Sequence, residues 1–173
     1  TIELEHTDVL GCTIAAIAGE KAAILRPGGV GFTGTHGEAL AVIAAAARDV
    51  GARLFVLGEH FGLSGVRWEG AGCRAILSLP DGSVRPLFLP DAAAFELPAL
   101  ALAAAALVHL LPGVPLQLDP VPRPSLPCRF EVRTDADGEV LVLDGAHTEQ
   151  SLAAVAAEFA RRWPGRRVAV LFG

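Results

Sequence analysis

The spacing of apolar and polar residues along the chain predicts an α/β protein. Residues 30–33 have the pattern of a short strand, and the alanine-rich residues 37–50 have that of a helix that ends at Gly51. The apolar run at residues 53–57 predicts a strand that is buried on both faces, as in a parallel sheet. Strand, helix and strand in this order form a βαβ unit.

The pattern changes between residues 59 and 90. Apolar and polar residues alternate there in three short runs, at residues 66–68, 73–79 and 85–89. A turn sequence, Pro-Asp-Gly-Ser at residues 80–83, separates the last two runs. We therefore predict antiparallel strands or a hairpin in this part of the chain.

A core helix and a proline-rich connector follow. Residues 97–111 are the most apolar stretch, and at about 15 residues they are too short to cross a bilayer, so they predict a buried helix. Residues 116–127 are rich in proline and have no helical or strand period, which predicts a stiff, extended connector. We place a domain boundary in it, with one domain over residues 1–122 and another over residues 123–173.

The second domain is predicted to contain another βαβ unit. Strands are expected at residues 129–133, 139–143 and 168–172, with a turn between the first two. A helix capped by Thr148 is expected before the last strand. The apolar stripe of this helix comprises Leu152, Val155, Ala156, Phe159 and Trp163.

Lys21 is the only lysine in the sequence, and every other basic residue apart from histidine is arginine. If Thr13 caps a helix, helical spacing places Lys21 in one apolar stripe with Ile14, Ile17, Ala18 and Leu25. A buried ammonium tends to lose its proton and become a reactive amine. The alternative is a lysine whose stem covers the edge of a core while its charge stays in water.

A glycine-rich segment matches the dinucleotide-binding motif but lacks the strand and helix that such a site needs around it. Residues 29–34, Gly-Val-Gly-Phe-Thr-Gly, match GxGxxG, but such a site needs a strand before the glycines and a helix that begins within them. Here a helix and Pro27 come first, and the predicted strand runs through the motif. A dinucleotide site also has an acidic residue after its second strand, and the candidate at about the right distance, Asp49, lies at a helix end instead. We therefore predict that the glycines form a turn and a strand edge.

Residues 144–148, Asp-Gly-Ala-His-Thr, lie where a buried strand is followed by a helix N-terminus. Ligands bind at this edge of α/β sheets, and a helix N-terminus favours anions. Asp144 would accept from a ribose hydroxyl and His147 would donate to a phosphate oxygen; alternatively, Asp144 only helps to cap the helix and His147 is a surface residue. Arg129, after the connector, would reach a phosphate across a cleft or remain an exposed strand-end residue.

The N-terminal segment and the composition narrow the function further. His6, flanked by Glu5 and Asp8, fits a metal site, although a lone histidine also serves structural roles. The net charge of −5 argues against general nucleic-acid binding, and three distant cysteines favour neither a disulfide framework nor a zinc site. We expect a cytoplasmic protein that does not bind a membrane.

Three segments together resemble the folylpolyglutamate synthase/dihydrofolate synthase family of the Mur ligase superfamily. The first, residues 4–28, contains LEHTDVLGCT, IAGEKAAI and RPG and is similar to the family's LDHTxxLGxTxxxIAxEKAGIxKPG. The second, LPCRFE at residues 126–131, is similar to its PGRFE strand. The third, LDGAHT at residues 143–148, is similar to its LDGAHT loop.

This resemblance implies both a fold and an activity. The chain would hold the later part of a P-loop-type central ATPase domain, followed by the start of a Rossmann-like C-terminal domain. The activity would be that of an ATP-dependent amide ligase, which adds L-glutamate to folate or dihydropteroate through an acyl phosphate. ATP would be a substrate and Mg²⁺ a cofactor.

The resemblance also implies roles for individual residues. His6 would bind the magnesium ion near the γ-phosphate, and Lys21 would take up carbon dioxide as a carbamate. Arg129, Asp144 and His147 would contact the nucleotide from the C-terminal domain.

Some features depart from the family pattern. No GxxGKGS phosphate loop is present, and Pro98 stands where the family has an asparagine that contacts the nucleotide. The chain has no methionine and begins with Thr1, so we expect it to be part of a longer protein and inactive alone. The alternatives are a ligase for UDP-muramoyl peptides and a degenerate, non-catalytic ligase-like module.

Overall fold

A computed structural model describes residues 2–4, 7–121 and 126–172 of the 173-residue chain. The helices are α1 (Thr7–Leu10), α2 (Ile14–Ala22), α3 (Gly37–Asp49), α4 (Leu97–Leu110) and α5 (Glu149–Arg162), with a 3₁₀ turn at Ala94–Glu96. The strands are β1 (Val30–Thr33), β2 (Arg53–Val56), β3 (Gly62–Glu69), β4 (Gly72–Ser78), β5 (Val84–Leu89), β6 (Glu131–Thr134) and β7 (Val140–Leu143). No helix in these described ranges is long and apolar enough to span a membrane.

The first βαβ unit is confirmed. β1 and β2 pair in parallel, with Val30 opposite Arg53 and Thr33 opposite Val56, and α3 connects them. β1 runs through the glycine-rich segment, as the sequence predicted. A β-carbon at Gly31 would lie 2.8 Å from a methyl carbon of Leu25, so glycine lets the chain after α2 pack closely on this strand.

The predicted antiparallel region is also confirmed, as the three-stranded sheet β3-β4-β5. Residues of β4 alternate between buried and exposed positions, which is the period expected for a sheet with one covered face. The main core lies on that covered face, and α4 contributes Ala101 and Ala105 to it. α4 is the predicted apolar helix, with Pro98 in its first turn.

The proline-rich connector is attached to the sheet over its first half. The Phe88 amide donates to the Leu118 carbonyl at 2.9 Å, and the Val121 amide donates to the Phe88 carbonyl at 2.8 Å. The Leu118 side chain is buried in the main core. The connector is therefore held along β5 as far as Val121, and residues 122–125 lie outside the described part of the chain.

The prediction of a second βαβ unit was wrong. β6 and β7 form the expected antiparallel hairpin and α5 follows it, but residues 168–172 do not form a strand. Apolar residues form a strand only where a neighbouring strand offers its edge. Residues 168–172 pair with none of the described strands, and Leu171 and Phe172 are 99% and 69% exposed.

The predicted apolar stripe of α5 is confirmed only at its C-terminal end, where Phe159 contacts Trp163 and Trp163 stacks on Phe130. The one residue of this helix that is buried is Glu158, at 2% exposure, whereas Leu152 is exposed. The physical reason is that α5 packs on the rest of the chain through an ionic cluster and the Trp163 ring, and not through its aliphatic side chains. Arg161 and Arg162 both pair with the Glu158 carboxylate.

Thr13 caps α2, its hydroxyl accepting from the Ala16 amide at 3.1 Å, and of the two alternatives for Lys21 the structure excludes the buried amine. The buried residues of α2 are Ile17, Ala18 and Ala22, and Lys21 is exposed. α3 packs on the side of the helix that Ala18 and Ala22 share. By its angle around the helix Lys21 lies between Ile17 and Ala18, but it is in the last turn of α2, and there its side chain remains in solvent.

Candidate functional site

Two loops meet at one end of the C-terminal hairpin, and Asp144 joins them. Its Oδ2 accepts from the Phe130 amide at 2.7 Å, and its Oδ1 accepts from the Ala146 amide at 2.8 Å. The Gly145 amide donates in turn to the Cys128 carbonyl at 3.0 Å. The segment before β6 and the segment after β7 are therefore held together by two hydrogen bonds, and the bond from Ala146 fixes the Asp144 carboxylate within its own segment.

The segment before β6 has a strained backbone. Cys128 and Phe130 have φ angles of 56° and 46°, in the left-handed region, which costs a non-glycine residue about 1–2 kcal/mol. The Glu131 carboxylate stabilises this conformation by accepting from the Cys128 amide at 3.1 Å. This hydrogen bond, together with one from Arg133, lowers the pKa of Glu131. Strain of this kind is concentrated at functional sites.

Arg129 lies between these two strained residues and is exposed. A β-carbon built on Gly145 would lie 3.2 Å from Arg129 Nη1, so the guanidinium rests against the glycine backbone beside Asp144. The structure thus brings together Arg129 and Asp144, which sequence motifs 15 residues apart had predicted as parts of one site.

His147 lies next to this arrangement, just before α5. Its Nδ1 is 2.9 Å from the Gly145 carbonyl, which can only accept, so Nδ1 carries a hydrogen. The other ring nitrogen, Nε2, then donates only when the ring is protonated. The predicted donation from His147 to a phosphate oxygen through Nε2 therefore requires the imidazolium form.

Thr148 caps α5 and ties it to the N-terminal segment. Its hydroxyl accepts from the Ser151 amide at 3.2 Å and donates to the Glu3 carboxylate at 2.6 Å. The alternative that Asp144 caps the helix is not supported, because its oxygens accept from Phe130 and Ala146. Sequence reasoning missed Glu3, which no local pattern connects to a helix 145 residues later.

An open cleft of about 550 Å³ lies where β2 ends and α4 begins. Gly58, Glu59 and His60 line it on one side and Leu97 and Pro98 on the other. His60 Nδ1 accepts from the Val56 amide at 3.0 Å, so its hydrogen is on Nε2. The sequence had given His60 no role, and only its position after β2 could have suggested one.

Another cleft, of about 570 Å³, lies at the amino end of β2. It is lined by Arg53, Arg85 and His109 among mostly apolar residues. None of the residues predicted to form the functional site lines it.

Of the remaining predicted site residues the structure describes Lys21, which is not joined to the Asp144 loops. Lys21 lies on the exposed surface of α2, and His6 is outside the described residues. Within the described ranges, no group of three or more His, Cys, Asp or Glu side chains is arranged to hold a metal ion.

Comparison with known proteins gives matches to solved structures alone, since no protein-family model and no curated protein matches the chain. The apo form of the L. casei folylpolyglutamate synthase is 25% identical, with a TM-score of 0.77 over 94% of this chain and 41% of that one. A complex of folylpolyglutamate synthase with AMPPCP is 25% identical, with a TM-score of 0.78 over the same shares. The Mycobacterium tuberculosis synthase, solved with ADP and AMPPCP, is 22% identical, with a TM-score of 0.75 over 93% of this chain and 38% of that one.

These matches confirm the resemblance that the three motifs predicted. They also confirm a mixed α/β fold shared with folylpolyglutamate synthases. The chain spans 41% of the length of the L. casei enzyme.

Proposed function

We propose that this chain forms part of an ATP-dependent ligase that adds L-glutamate to folate or dihydropteroate. Residues 1–122 would belong to the central ATPase domain and residues 123–173 to the C-terminal domain. The observation that carries this proposal is the hydrogen-bonded loop pair around Asp144, which places Arg129 and His147 beside it. The structural similarity to a synthase in complex with AMPPCP supports a nucleotide as the ligand.

Each residue of the loop pair has chemistry suited to ATP. Arg129 offers an always-charged, forked donor for phosphate oxygens. Each Asp144 oxygen accepts one backbone hydrogen bond and keeps a second lone pair, so the carboxylate would still accept from a ribose hydroxyl. His147, when protonated, would donate from Nε2 to a phosphate.

The cleft between β2 and α4 is the proposed place for the base. Its lining combines apolar surface with the Nε2–H of His60 and the hydroxyls of Ser64 and Ser78. Pro98 occupies the position of the family's asparagine and has no donor to offer. We therefore expect the base to be held mainly by apolar contact and by His60.

In the proposed reaction, ATP phosphorylates a carboxylate of the folate substrate, and the amine of glutamate displaces phosphate from the acyl phosphate. Cationic donors stabilise the charge on the transferring phosphoryl group, a role proposed here for Arg129. Magnesium takes oxygen ligands, and the described residues offer no ligand cluster, so no step is assigned through it. His6 remains the proposed ligand from this chain.

Lys21 is proposed to form a carbamate with carbon dioxide. A carbamate forms only from the neutral amine. Lys21 is exposed on α2, so carbon dioxide can reach it, but the position lacks the burial that would favour loss of the proton. Groups outside the described residues would have to supply that effect.

The test uses the complete protein that contains this sequence. We expect ATP-dependent addition of glutamate to folate or dihydropteroate, and we expect Arg129→Ala and Asp144→Ala to raise KM for ATP at least about tenfold. Arg166→Ala, an exposed arginine outside the loop pair, is the control and should leave KM unchanged. The 173-residue chain alone should be inactive.

Two results would contradict the proposed activity, and a third would contradict only the view that this chain holds part of the site. Turnover of UDP-muramoyl precursors in place of folates would identify the sister group of ligases. Absence of ATP binding in the complete protein would identify a non-catalytic module. Glutamate addition by the 173-residue chain alone would refute the view that the site is incomplete here.

A further inference from the structure

A buried ionic cluster attaches α5 to the N-terminal part of the chain. We call Glu158, Arg161, Arg162 and Asp91 the Glu158 cluster. The Glu158 carboxylate, 2% exposed, accepts from Arg161 Nε at 3.0 Å and from Arg162 Nε at 2.6 Å. It also accepts from the Ala94 amide at 3.1 Å, in the 3₁₀ turn before α4.

The two arginines extend the cluster across the interface. Arg162 donates to the Ala92 carbonyl at 2.7 Å and pairs with Asp91 at 2.7 Å. Arg161 donates to the Gly70 carbonyl at 3.2 Å, and its guanidinium carbon lies 3.7 Å from the ring centroid of Trp68. Desolvating so many charges is costly, and in some proteins such buried ions specify one geometry where apolar packing would allow several.

Phe130 connects this interface to the candidate site. Its side chain is 2% exposed; it stacks on Trp163, and its edge meets Phe95 of the 3₁₀ turn at 5.8 Å. The Arg162 guanidinium carbon lies 4.9 Å from the centre of the same ring. The backbone of Phe130, however, belongs to the strained loop, where its amide donates to Asp144 and Arg129 precedes it.

The other side of the interface leads to the cleft. Ala94 and Phe95, which contact Glu158 and Phe130, come directly before the first turn of α4, where Leu97 and Pro98 line the cleft. One interface therefore contacts both halves of the proposed nucleotide site: the loop of Arg129 and Asp144, and the start of α4.

We propose that Glu158, Arg162 and Phe130 are positioning residues that fix the loop of Arg129 and Asp144 relative to the cleft at the start of α4. None of them would touch the nucleotide. The proposal rests on the proposed function for the identity of the ligand. The mechanical part, that the Glu158 cluster holds the loop through Phe130, stands on the contacts alone.

The test compares Arg162→Gln with Arg166→Gln in the complete protein. Amide hydrogen exchange is measured over residues 128–131, which carry the loop, and over residues 91–97 and 73–78, which carry the interface and the core. We expect Arg162→Gln to speed exchange at least about tenfold in residues 91–97 and 128–131 and to leave residues 73–78 unchanged. Arg166 is exposed and lies outside the cluster, so its variant should match the wild type.

ATP binding provides the second measurement. We expect Arg162→Gln to raise the Kd for AMPPCP about tenfold and to raise KM for ATP. Its kcat at saturating ATP should stay within about twofold of the wild-type value. Arg162→Lys, which keeps the charge but not the planar fork, should recover part of the loss. A merely structural role would lower Tm and leave the Kd unchanged.

The exchange rates and the Kd together decide whether the Glu158 cluster positions the loop. Faster exchange confined to residues 91–97, or a faster loop with an unchanged Kd, would overturn it. If the wild-type protein does not bind AMPPCP, the proposed function fails, and the exchange over residues 128–131 still decides whether the cluster holds the loop. If Arg162→Gln does not fold, Phe95→Leu, which alters a partly exposed ring on the opposite side, should produce the same faster loop exchange.

Discussion

The guanidinium of Arg129 lies against the backbone of Gly145, at a place where a β-carbon would come within 3.2 Å of Nη1. Gly145 does not have a positive φ, so its backbone conformation does not require glycine. What requires glycine is the space that Arg129 occupies. The absence of a side chain at position 145 thus sets where the proposed phosphate-binding cation lies.

Gly145→Ala is predicted to displace Arg129 without unfolding the protein. A contact of 3.2 Å with the end of a flexible side chain is relieved by moving that side chain, so the free energy of unfolding should change by less than about 1 kcal/mol. The affinity for AMPPCP should fall about three- to tenfold, because the moved guanidinium loses its bidentate geometry. Calorimetric titration of the complete protein measures the affinity, and chemical denaturation measures the stability.

Gly19→Ala is the matched control for this variant. Gly19 is exposed in the interior of α2, and a β-carbon there meets nothing within 4 Å. Alanine should stabilise the helix by up to about 1 kcal/mol and leave nucleotide affinity unchanged. An unchanged affinity in Gly145→Ala would show that Arg129 does not bind the ligand from its present position.

Cys128→Gly is predicted to stabilise the protein. The φ of Cys128 is 56°, and glycine adopts this conformation without the steric cost that cysteine bears. The greater freedom of glycine in the unfolded chain offsets part of the gain, so we expect an increase of up to about 1 kcal/mol in the free energy of unfolding. Cys12→Gly, at an exposed position without a positive φ, should instead be neutral or destabilising. Equal effects at the two positions would contradict the strain assigned to Cys128.

Much of the fold could be predicted because its signals are local. The β1-α3-β2 unit follows from apolar runs and from Gly51, and the sheet β3-β4-β5 follows from alternation and a turn sequence. The proximity of Arg129 and Asp144 follows from motifs that directly precede and follow one antiparallel hairpin, and so lie at the same end of it. In each case the residues that define the structure are close in sequence or carry a recognisable motif.

The features that could not be predicted depend on distant partners. Glu158 is buried because the Ala94 amide, 64 residues earlier, donates to it, and a helical pattern marks such a residue as solvent-facing. Lys21 shares a helical face with the buried Ile17 and Ala18 and is still exposed, since periodicity gives the face of a helix but not how far its packing partners extend along it. Residues 168–172 have strand composition, but strand formation depends on a neighbour.

Lys21→Ala is predicted to remove ligase activity while leaving the stability of the protein almost unchanged. Because Lys21 is exposed, the substitution should change the free energy of unfolding by less than about 0.5 kcal/mol. If the amine forms the proposed carbamate, ligase activity should be lost in both Lys21→Ala and Lys21→Arg, and short carboxylic acids should restore part of it in Lys21→Ala. Glu20→Ala, at the exposed neighbouring position, should keep full activity. An active Lys21→Arg enzyme would exclude the carbamate.

The last prediction concerns the stability of the protein in acid and rests on Glu158. Burial raises the pKa of this carboxyl, but hydrogen bonds from Arg161, Arg162 and the Ala94 amide outweigh it, and the pKa lies below its ordinary value of 4.5. A depressed pKa in the folded state means that the ionised group contributes stability above pH 4.5 and that this contribution is lost as the pH falls through the folded-state pKa. Asp91, which pairs with Arg162, stays in place in the variants described next.

Glu158→Gln should therefore be less stable than the wild type by about 3 kcal/mol at pH 7, because the two arginines lose their buried counter-charge. The difference should shrink as the pH is lowered below 4.5, since the wild-type carboxyl becomes neutral as well. Urea denaturation between pH 7 and pH 3 measures both curves. Glu149→Gln, in the exposed first turn of the same helix, should follow the wild type within about 0.5 kcal/mol at pH 7. Parallel curves for the wild type and Glu158→Gln would show that the buried carboxylate does not stabilise the folded interface.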